Sequence, residues 1–257
     1  FNQEGAIYNS GFERLSANFN YLFDFKDKLQ ITAALRPSYI TQDRVVSGYN
    51  RNDPLSIALW APPIYEPNDE QGNLIPYFSM PSSPHISTAW GFPNPLYVLE
   101  NTKNKYNELR NLGNISLQWN ISNAFRFKTA LSTVYNNVNF NSFTPSTVGS
   151  PNTPPRVESA MAGRSRSNGF NWLVENTLNY NQTFGKHDVA GLVGYTIQKS
   201  TSRSLNLNAG PFPNDLIETI NAAPAITSWG EGIGEWSMIS YLGRINYAYN
   251  NKYLLTA

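Results

Sequence analysis

Between Ile239 and Asn250 the chain alternates with a period of two. Ile239, Tyr241, Gly243, Ile245, Tyr247 and Tyr249 fall on one side, while Ser240, Leu242, Arg244, Asn246, Ala248 and Asn250 fall on the other. Such a pattern is that of an extended strand with two unlike faces. A strand covering a soluble core would satisfy it, but three tyrosines facing an arginine and two amides also suit a strand that stands between lipid and a wet lumen. Asn250-Asn251 supplies a tight turn, because Asn tolerates positive φ cheaply. Lys252 to Ala257 then opens a returning strand that the chain leaves unfinished, so the chain is expected to be a fragment.

The same alternation recurs upstream. Leu15, Ala17, Phe19, Tyr21 and Phe23 share a face, Lys26-Asp27-Lys28 turns the chain, and Leu29, Ile31, Ala33 and Leu35 return it, with a continuation past Pro37 to about Val46 if Pro37 occupies a bulge or an unpaired position. Gly113, Ile115, Leu117 and Trp119 make the next strand. After Ile121 to Ala124, Phe125, Phe127, Thr129, Leu131, Thr133 and Tyr135 run back. Phe170, Trp172, Val174, Leu178 and Tyr180 pair through Gly185-Lys186 with Val189, Gly191, Val193, Tyr195 and Ile197.

Three other stretches lose the alternation: Ser47 to about Lys105, Asn141 to Asn168, and Ala209 to Glu235. The first is rich in proline, yet Trp60, Tyr65, Tyr77, Phe78, Trp90, Phe92 and Tyr97 argue for a folded loop, with short helical turns at Pro54 to Trp60 and Pro95 to Lys103. The four short turns and three long connections alternate along the chain. Consecutive antiparallel strands reverse direction, so every short turn lies at one end of the sheet and every long loop at the other. Outer-membrane barrels have this polarity, with short periplasmic turns and long extracellular loops. The expected fold is therefore all-β: an antiparallel transmembrane β-barrel segment of seven strands and the start of an eighth. A soluble all-β module whose aromatic loops bind carbohydrate, and an outer-membrane barrel with a structural or secretion-associated role, fit the same alternation.

Composition narrows the classes further. With 19 basic against 18 acidic residues, nothing draws the chain to nucleic acid. The absence of cysteine excludes disulfides, thiolate metal sites and Cys nucleophiles. No apolar run approaches the length of a spanning helix, so any membrane crossing uses strands.

The segments Asn9-Ser10-Gly11-Phe12-Glu13-Arg14, Lys186-His187-Asp188-Val189-Ala190-Gly191-Leu192-Val193-Gly194-Tyr195, Ser240 to Tyr247 and Tyr253-Leu254-Leu255-Thr256-Ala257 resemble the SusC/RagA-type TonB-dependent outer-membrane transporters of Bacteroidetes. That resemblance implies a location in the bacterial outer membrane and a place inside a larger barrel of about 22 strands. Residues 1–257 would then all belong to one barrel domain, with the plug, the TonB box, the N-terminal accessory domain and the remaining strands outside this sequence. It further implies import of an oligomeric glycan or peptide, energised through TonB acting on the plug, beneath a SusD-like lipoprotein.

Candidate site residues follow from position. Arg126, Lys128, Glu175 and Arg244 are expected to face the lumen, and Trp60, Tyr65, Tyr77, Phe78 and Trp90 are expected to pack the loop or to contact a lid or a sugar-like or peptide substrate. Trp119 and Tyr180 near the short turns, and Trp172 near the long loops, fit interfacial girdles. Gly230-Glu231-Gly232-Ile233-Gly234-Glu235 superficially resembles a phosphate loop, but no helix follows it and a flexible loop is the expectation. His85 and His187 fall at opposite ends of the sheet. Asp53, Glu66, Asp69 and Glu70 lack the spacing of a known calcium loop. No catalytic constellation, metal site or cofactor motif is expected, and the chain is not read as an enzyme.

Overall fold

The computed structural model describes residues 1–45, 53–80, 90–157 and 159–257. His85, and the end of the strand expected to reach Val46, lie outside the described residues. In chain order the elements are β1 (Asn2–Glu4), β2 (Gly11–Ser16), β3 (Phe19–Phe25), β4 (Leu29–Asp43), α1 (Pro54–Trp60), β5 (Tyr77–Met80), β6 (Trp90–Pro93), α2 (Pro95–Asn101), β7 (Lys103–Asn120), β8 (Phe125–Thr144), β9 (Met161–Phe184), β10 (His187–Ala209), a 3-10 turn (Ile220–Ala222), β11 (Ile226–Tyr249) and β12 (Tyr253–Thr256). All but β5 and β6 form one ten-stranded antiparallel sheet in the order β1-β2-β4-β7-β8-β9-β10-β11-β12, with β3 also paired to β4. Among the described residues no helix is long and apolar enough to cross a membrane.

The expected first strand is two, β2 and β3, interrupted at Ala17-Asn18. Pro37 lies opposite that interruption: β3 pairs β4 up to Leu35, β2 resumes at Ser38, and the Pro37 carbonyl accepts from Ala17 N at 3.0 Å. A residue without an N–H is tolerated where the ladder is broken. The short turns are tight, with Lys26 and Asp27 at φ of 50° and 54° and Asn250 and Asn251 at the same two values.

Register resolves the two faces. One row runs Tyr241, Tyr195, Asn176, Thr129, Leu117, Ile31 and Phe23 across six adjacent pairings; the next runs Ile239, Ile197, Val174, Leu131, Ile115, Ala33 and Tyr21. The residues expected to be apolar thus share one face, and the polar alternates share the other. The sheet buries neither face: Tyr241 on the apolar face is 83% exposed and Leu242 on the other 41%. Buried hydrophobic side chains cluster instead among the long connections and the strand ends beside them, including Ile57, Phe78, Phe92, Val98, Phe143, Val148, Ala160 and Phe212. A sheet with two open faces and a core in its loops is what a lipid-and-lumen wall requires.

The apolar face is a band of limited height. On β10 it runs from Val189 to Ile197 and gives way to Lys199, Thr201 and Arg203. On β9 it runs from Tyr180 to Phe170 and gives way to Asn168, Arg166 and Arg164, and on β8 it ends at Tyr135 before Asn137, Asn139 and Asn141. About ten residues span roughly 33 Å of strand, or roughly 25 Å of height at the tilt of a barrel, the thickness of an outer-membrane apolar band. Trp119, Phe125 and Tyr180 mark its turn-side edge and Trp172, Phe170 and Tyr135 its loop-side edge. Beyond it the strands extend as a mixed wall, where Leu205 and Leu207 on β10 and Ile233 and Trp229 on β11 return to the same face among the polar residues.

Two expectations of loop extent are corrected. The second connection narrows because β8 runs to Thr144 and β9 begins at Met161, and the third because β11 begins at Ile226. Gly230 to Glu235 is therefore strand, paired residue by residue with Asn206 to Thr201. Its glycines alternate onto the polar face, where a Cβ on Gly232 or Gly234 would stand 2.9 or 2.8 Å from the Ser204 or Ser202 hydroxyl. The 23 residues of β10 supply the ladder that a glycine-rich segment cannot specify alone.

Candidate functional site

The long connections fold onto one another above the sheet. In the first, α1 and α2 start alike: Asp53 and Asn94 each cap a helix whose first residue is proline, accepting from Leu55 N and Leu96 N at 3.0 Å. An Asx cap satisfies an orphan amide, and proline at the first position has no N–H to lose. Between the helices, Trp60, Tyr65, Phe78 and Trp90 gather around Phe92, with ring centroids 5.0 to 5.6 Å apart. Phe92 is fully buried and Phe78 nearly so, while Trp60, Tyr65 and Trp90 keep one flank in solvent. Four of the five expected loop aromatics thus form one cluster.

Tyr77, the fifth, joins the first connection to the second. A Cβ on Gly91 would stand 2.6 Å from its ring and one on Gly149 2.9 Å, so both glycines permit its close approach. Burial pushes its phenol above the usual tyrosine range. Beside it, Asn152 N donates to the Gly91 carbonyl at 2.8 Å and Gly91 N donates back to Asn152 Oδ1 at 3.2 Å.

The second and third connections meet through Asp215, which accepts from Ser146 N at 2.8 Å and Ser146 Oγ at 2.7 Å, and through the edge-to-face pair Phe143–Phe212. Arg164 donates to the carbonyls of Ser142, Gly163 and Glu218 at 2.6 to 2.8 Å, and Lys103 pairs with the Glu218 carboxylate at 2.6 Å. A cleft of about 810 Å³ lies where this crown meets the strand tops. Arg44, Lys103, Lys105 and Arg164 line it together with Asp43, Glu100 and Glu218, and its wall is mixed polar and apolar. The sequence reading singled out none of Phe92, Arg164, Asp215 or Phe212 as site residues.

The four expected lumen residues share the polar face and are exposed. Arg126, Asn179, Leu192 and Arg244 form a single row, with Lys128 one row above and Glu175 two rows above, all in the turn-side half of the sheet. Arg126 Nε donates to Asn120 Oδ1 at 3.1 Å. Of the acidic residues in the first connection, Asp53 serves as a cap and Asp69 closes a turn on Gln71 and Asn73. Among the described residues no group of three or more His, Asp or Glu side chains could hold a metal. His187 lies at a short turn with Nδ1 2.6 Å from the Tyr247 hydroxyl.

No family model matches the chain. It is 29% identical over its full length to TonB-dependent receptor P26 of Formosa agariphila, covering 25% of that protein, and 28% identical over 99% of its length to receptor P39 of the same organism, covering 23%. The chain is similar along its whole length to TonB-dependent receptors. It spans about a quarter of the length of the curated relatives it matches. The RagAB peptide importer in its "closed-closed" state superposes on 97% of the chain with a TM-score of 0.77 at 17% identity, covering 27% of that structure. The resemblance read from Lys186 to Tyr195 and Ser240 to Ala257 is borne out, and it supports a place in the bacterial outer membrane.

Proposed function

We propose that this segment forms part of the wall and extracellular crown of a TonB-dependent importer for an oligomeric nutrient, peptide or glycan, acting with a SusD-like surface lipoprotein. The observation that carries the reading is the full-length match to TonB-dependent receptors on a sheet whose two faces are both open. The RagAB peptide importer shares the fold, which supports an oligomeric cargo.

In this reading the segment performs no covalent chemistry. Arg126, Lys128, Glu175 and Arg244 line the turn-side lumen, where charged side chains keep the passage hydrated and meet a plug. The exposed flanks of Trp60, Tyr65 and Trp90 meet the lipoprotein or stack on cargo, while Phe78 and Tyr77 hold their positions. Import is gated by movement of a plug and driven by TonB.

The reading is tested in cells expressing the full-length receptor and its lipoprotein, offered a labelled mixture of peptides and oligosaccharides. Uptake should stop when TonB is removed or the proton gradient is collapsed. Uptake that continues unchanged under both treatments sinks the import reading. Trp60→Ala with Trp90→Ala should lower recovery of the lipoprotein with the receptor or the uptake of cargo, and a variant normal in both assays removes these residues from the contact.

A further inference from the structure

On the polar face, β2, β4 and β7 bring three arginines together. Arg14 on β2 stands opposite Ile40 on β4, and Ile40 stands opposite Glu108 on β7. One row nearer the turns, Ser38 lies between Ser16 and Arg110, and the row after that places Arg36 beside Leu112. Arg110 is therefore the direct neighbour of Ser38, and Arg14 and Arg36 are diagonal neighbours of Ser38 and Arg110, roughly 7–8 Å away. The three arginines are exposed and line a hollow of about 390 Å³, with the buried Ser38 among its walls. Ala17, Asn18 and Pro37 line it too, so it opens where β2 and β3 are interrupted and the ladder gives way.

Opposing charge is scarce there. Among the described residues none of the three arginines forms an ion pair, and only Arg36 has a side-chain hydrogen bond, from Nε to Asn18 Oδ1 at 3.3 Å. Glu108 is the one carboxylate lining the hollow, and it already accepts from the Tyr106 hydroxyl at 2.7 Å. The Arg44 guanidinium, 3.5 Å from the centroid of the Tyr106 ring, is engaged in turn. On β8 the same rows continue as Val134, Asn136 and Val138, which add no charge. Three guanidiniums against one engaged carboxylate leave unused planar forks, and such forks match a carboxylate in two-point contacts.

The wall beside the hollow is low. The row of Arg110 runs on through Asn136, Gly169, Ser202 and Gly234, and that of Glu108 through Val138, Ser167, Ser204 and Gly232. Short side chains there leave room for an extended chain to lie along the sheet with its acidic groups among the arginines. Asn136 follows Tyr135 at the loop-side edge of the apolar band, so the hollow lies just beneath the crown. Its lining narrows the ligand. No aromatic residue is among those that line it, so it offers no stacking platform for a sugar face, whereas Ile40 and Leu112 beside the guanidiniums suit a chain of mixed apolar and acidic side chains. We propose that Arg14, Arg36 and Arg110 form a carboxylate-binding subsite that selects acidic peptides as they pass from the crown into the barrel. This rests on the import reading above, in which the polar face is the lumen wall.

The test uses the full-length receptor with its lipoprotein in detergent, and pairs of fluorescent peptides that differ only in carrying Glu or Gln. By anisotropy the parent should bind the Glu peptide at least about fivefold tighter, as expected for charge-assisted contacts. Arg14→Gln with Arg110→Gln should bring the two peptides to within about twofold, and Arg14→Lys with Arg110→Lys should keep part of the preference, since an ammonium keeps the charge without the fork. Arg166→Gln with Arg203→Gln removes the same charge from the opposite face and should change nothing. Heat-modifiable mobility on gels reports folding, and if the Gln pair misfolds, the parent's preference and its reduction in Arg110→Gln alone decide. Equal binding of both peptides by the parent, or a full preference in a folded Gln pair, overturns the proposal. A uronic-acid oligosaccharide that displaces the Glu peptide better than the unlabelled peptide does also overturns it. So does a Gln pair that admits large antibiotics to cells while keeping the peptide preference, which would assign the arginines to the plug. Uptake of the same peptides by cells separates the two readings: a binding preference with uptake indifferent to TonB sinks import alone, and TonB-dependent uptake with no preference sinks the subsite alone.

Discussion

Asn94 donates from Nδ2 to the Pro67 carbonyl at 2.8 Å while its Oδ1 caps α2 at Leu96 N, so one nearly fully buried side chain ties a helix start to a loop 27 residues away. Removing it costs twice. Asn94→Ala loses a cap worth about 1 kcal/mol and leaves a part-buried carbonyl without its partner, about 1–3 kcal/mol more. Local opening of the first connection should rise accordingly. Limited proteolysis of the full-length receptor in membranes should cut within residues 53–101 at least about tenfold faster, with the barrel strands still protected. An unchanged rate would mean that α2 opens independently of this contact.

Phe92 is the ring that Trp60, Tyr65, Phe78 and Trp90 all touch. Phe92→Ala in a fully buried site should destabilise the crown by about 3–5 kcal/mol, whereas Trp60→Ala, at a half-exposed position, should cost less. Tryptophan fluorescence reads the difference: Phe92→Ala should red-shift emission by exposing Trp60 and Trp90. The prediction fails if Trp60→Ala loosens the crown, measured by hydrogen exchange over residues 75–80, as much as Phe92→Ala does.

The contrast between these loops and the sheet explains what could be read in advance. A strand with one face to lipid and one to water writes its orientation at every second position, so the rows through Tyr241 and Arg244 were visible without any partner strand. The helical turns starting at Pro54 and Pro95 were visible too, since proline at a first helical position is a local signal, whereas their Asp53 and Asn94 caps were not singled out. Gly230, Gly232 and Gly234 misled because glycine specifies no strand; β10 imposes the pairing. Ser146–Asp215 and Arg164–Glu218 join residues 69 and 54 apart in sequence, and nothing local in Pro-rich loops marks such contacts.

Asp69 closes its turn by accepting from Asn73 N at 2.8 Å and Gln71 N at 3.0 Å, and these contacts, the Asn73 amide first, hold its carboxyl below the usual range. The carboxylate is the bonded form, so its contribution is complete above the ordinary value near 3.8 and disappears as pH falls through the lowered folded value. Hydrogen exchange of residues 69–73, corrected for intrinsic rates, should be flat from neutral pH down to about 5 and lose protection only in strong acid. Asp69→Asn should flatten the acid limb, and protection lost already near pH 6 would require another group.

The third connection is held to the strand tops by two cations of unequal weight. Arg164 gives three charge-assisted bonds to carbonyls in a part-buried position, while the Lys103–Glu218 pair joins side chains 66% and 33% exposed. Exposed ion pairs contribute about 0–1 kcal/mol, but bonds to a charged, partly buried group contribute about 1.5–3 kcal/mol each. Arg164→Met should therefore loosen residues 216–222 around Glu218, while Phe212 and Asp215 keep their own contacts, and Lys103→Met should leave the segment in place. A spin label at Leu216, which is 90% exposed, reports the outcome as a narrowed spectrum in the first variant and an unchanged one in the second. Arg164→Lys should fall between, since one ammonium cannot present the planar fork that reaches Ser142, Gly163 and Glu218 together. Equal mobility in Arg164→Met and Lys103→Met would show that the loop is held by the carboxylate of Glu218 and not by its backbone.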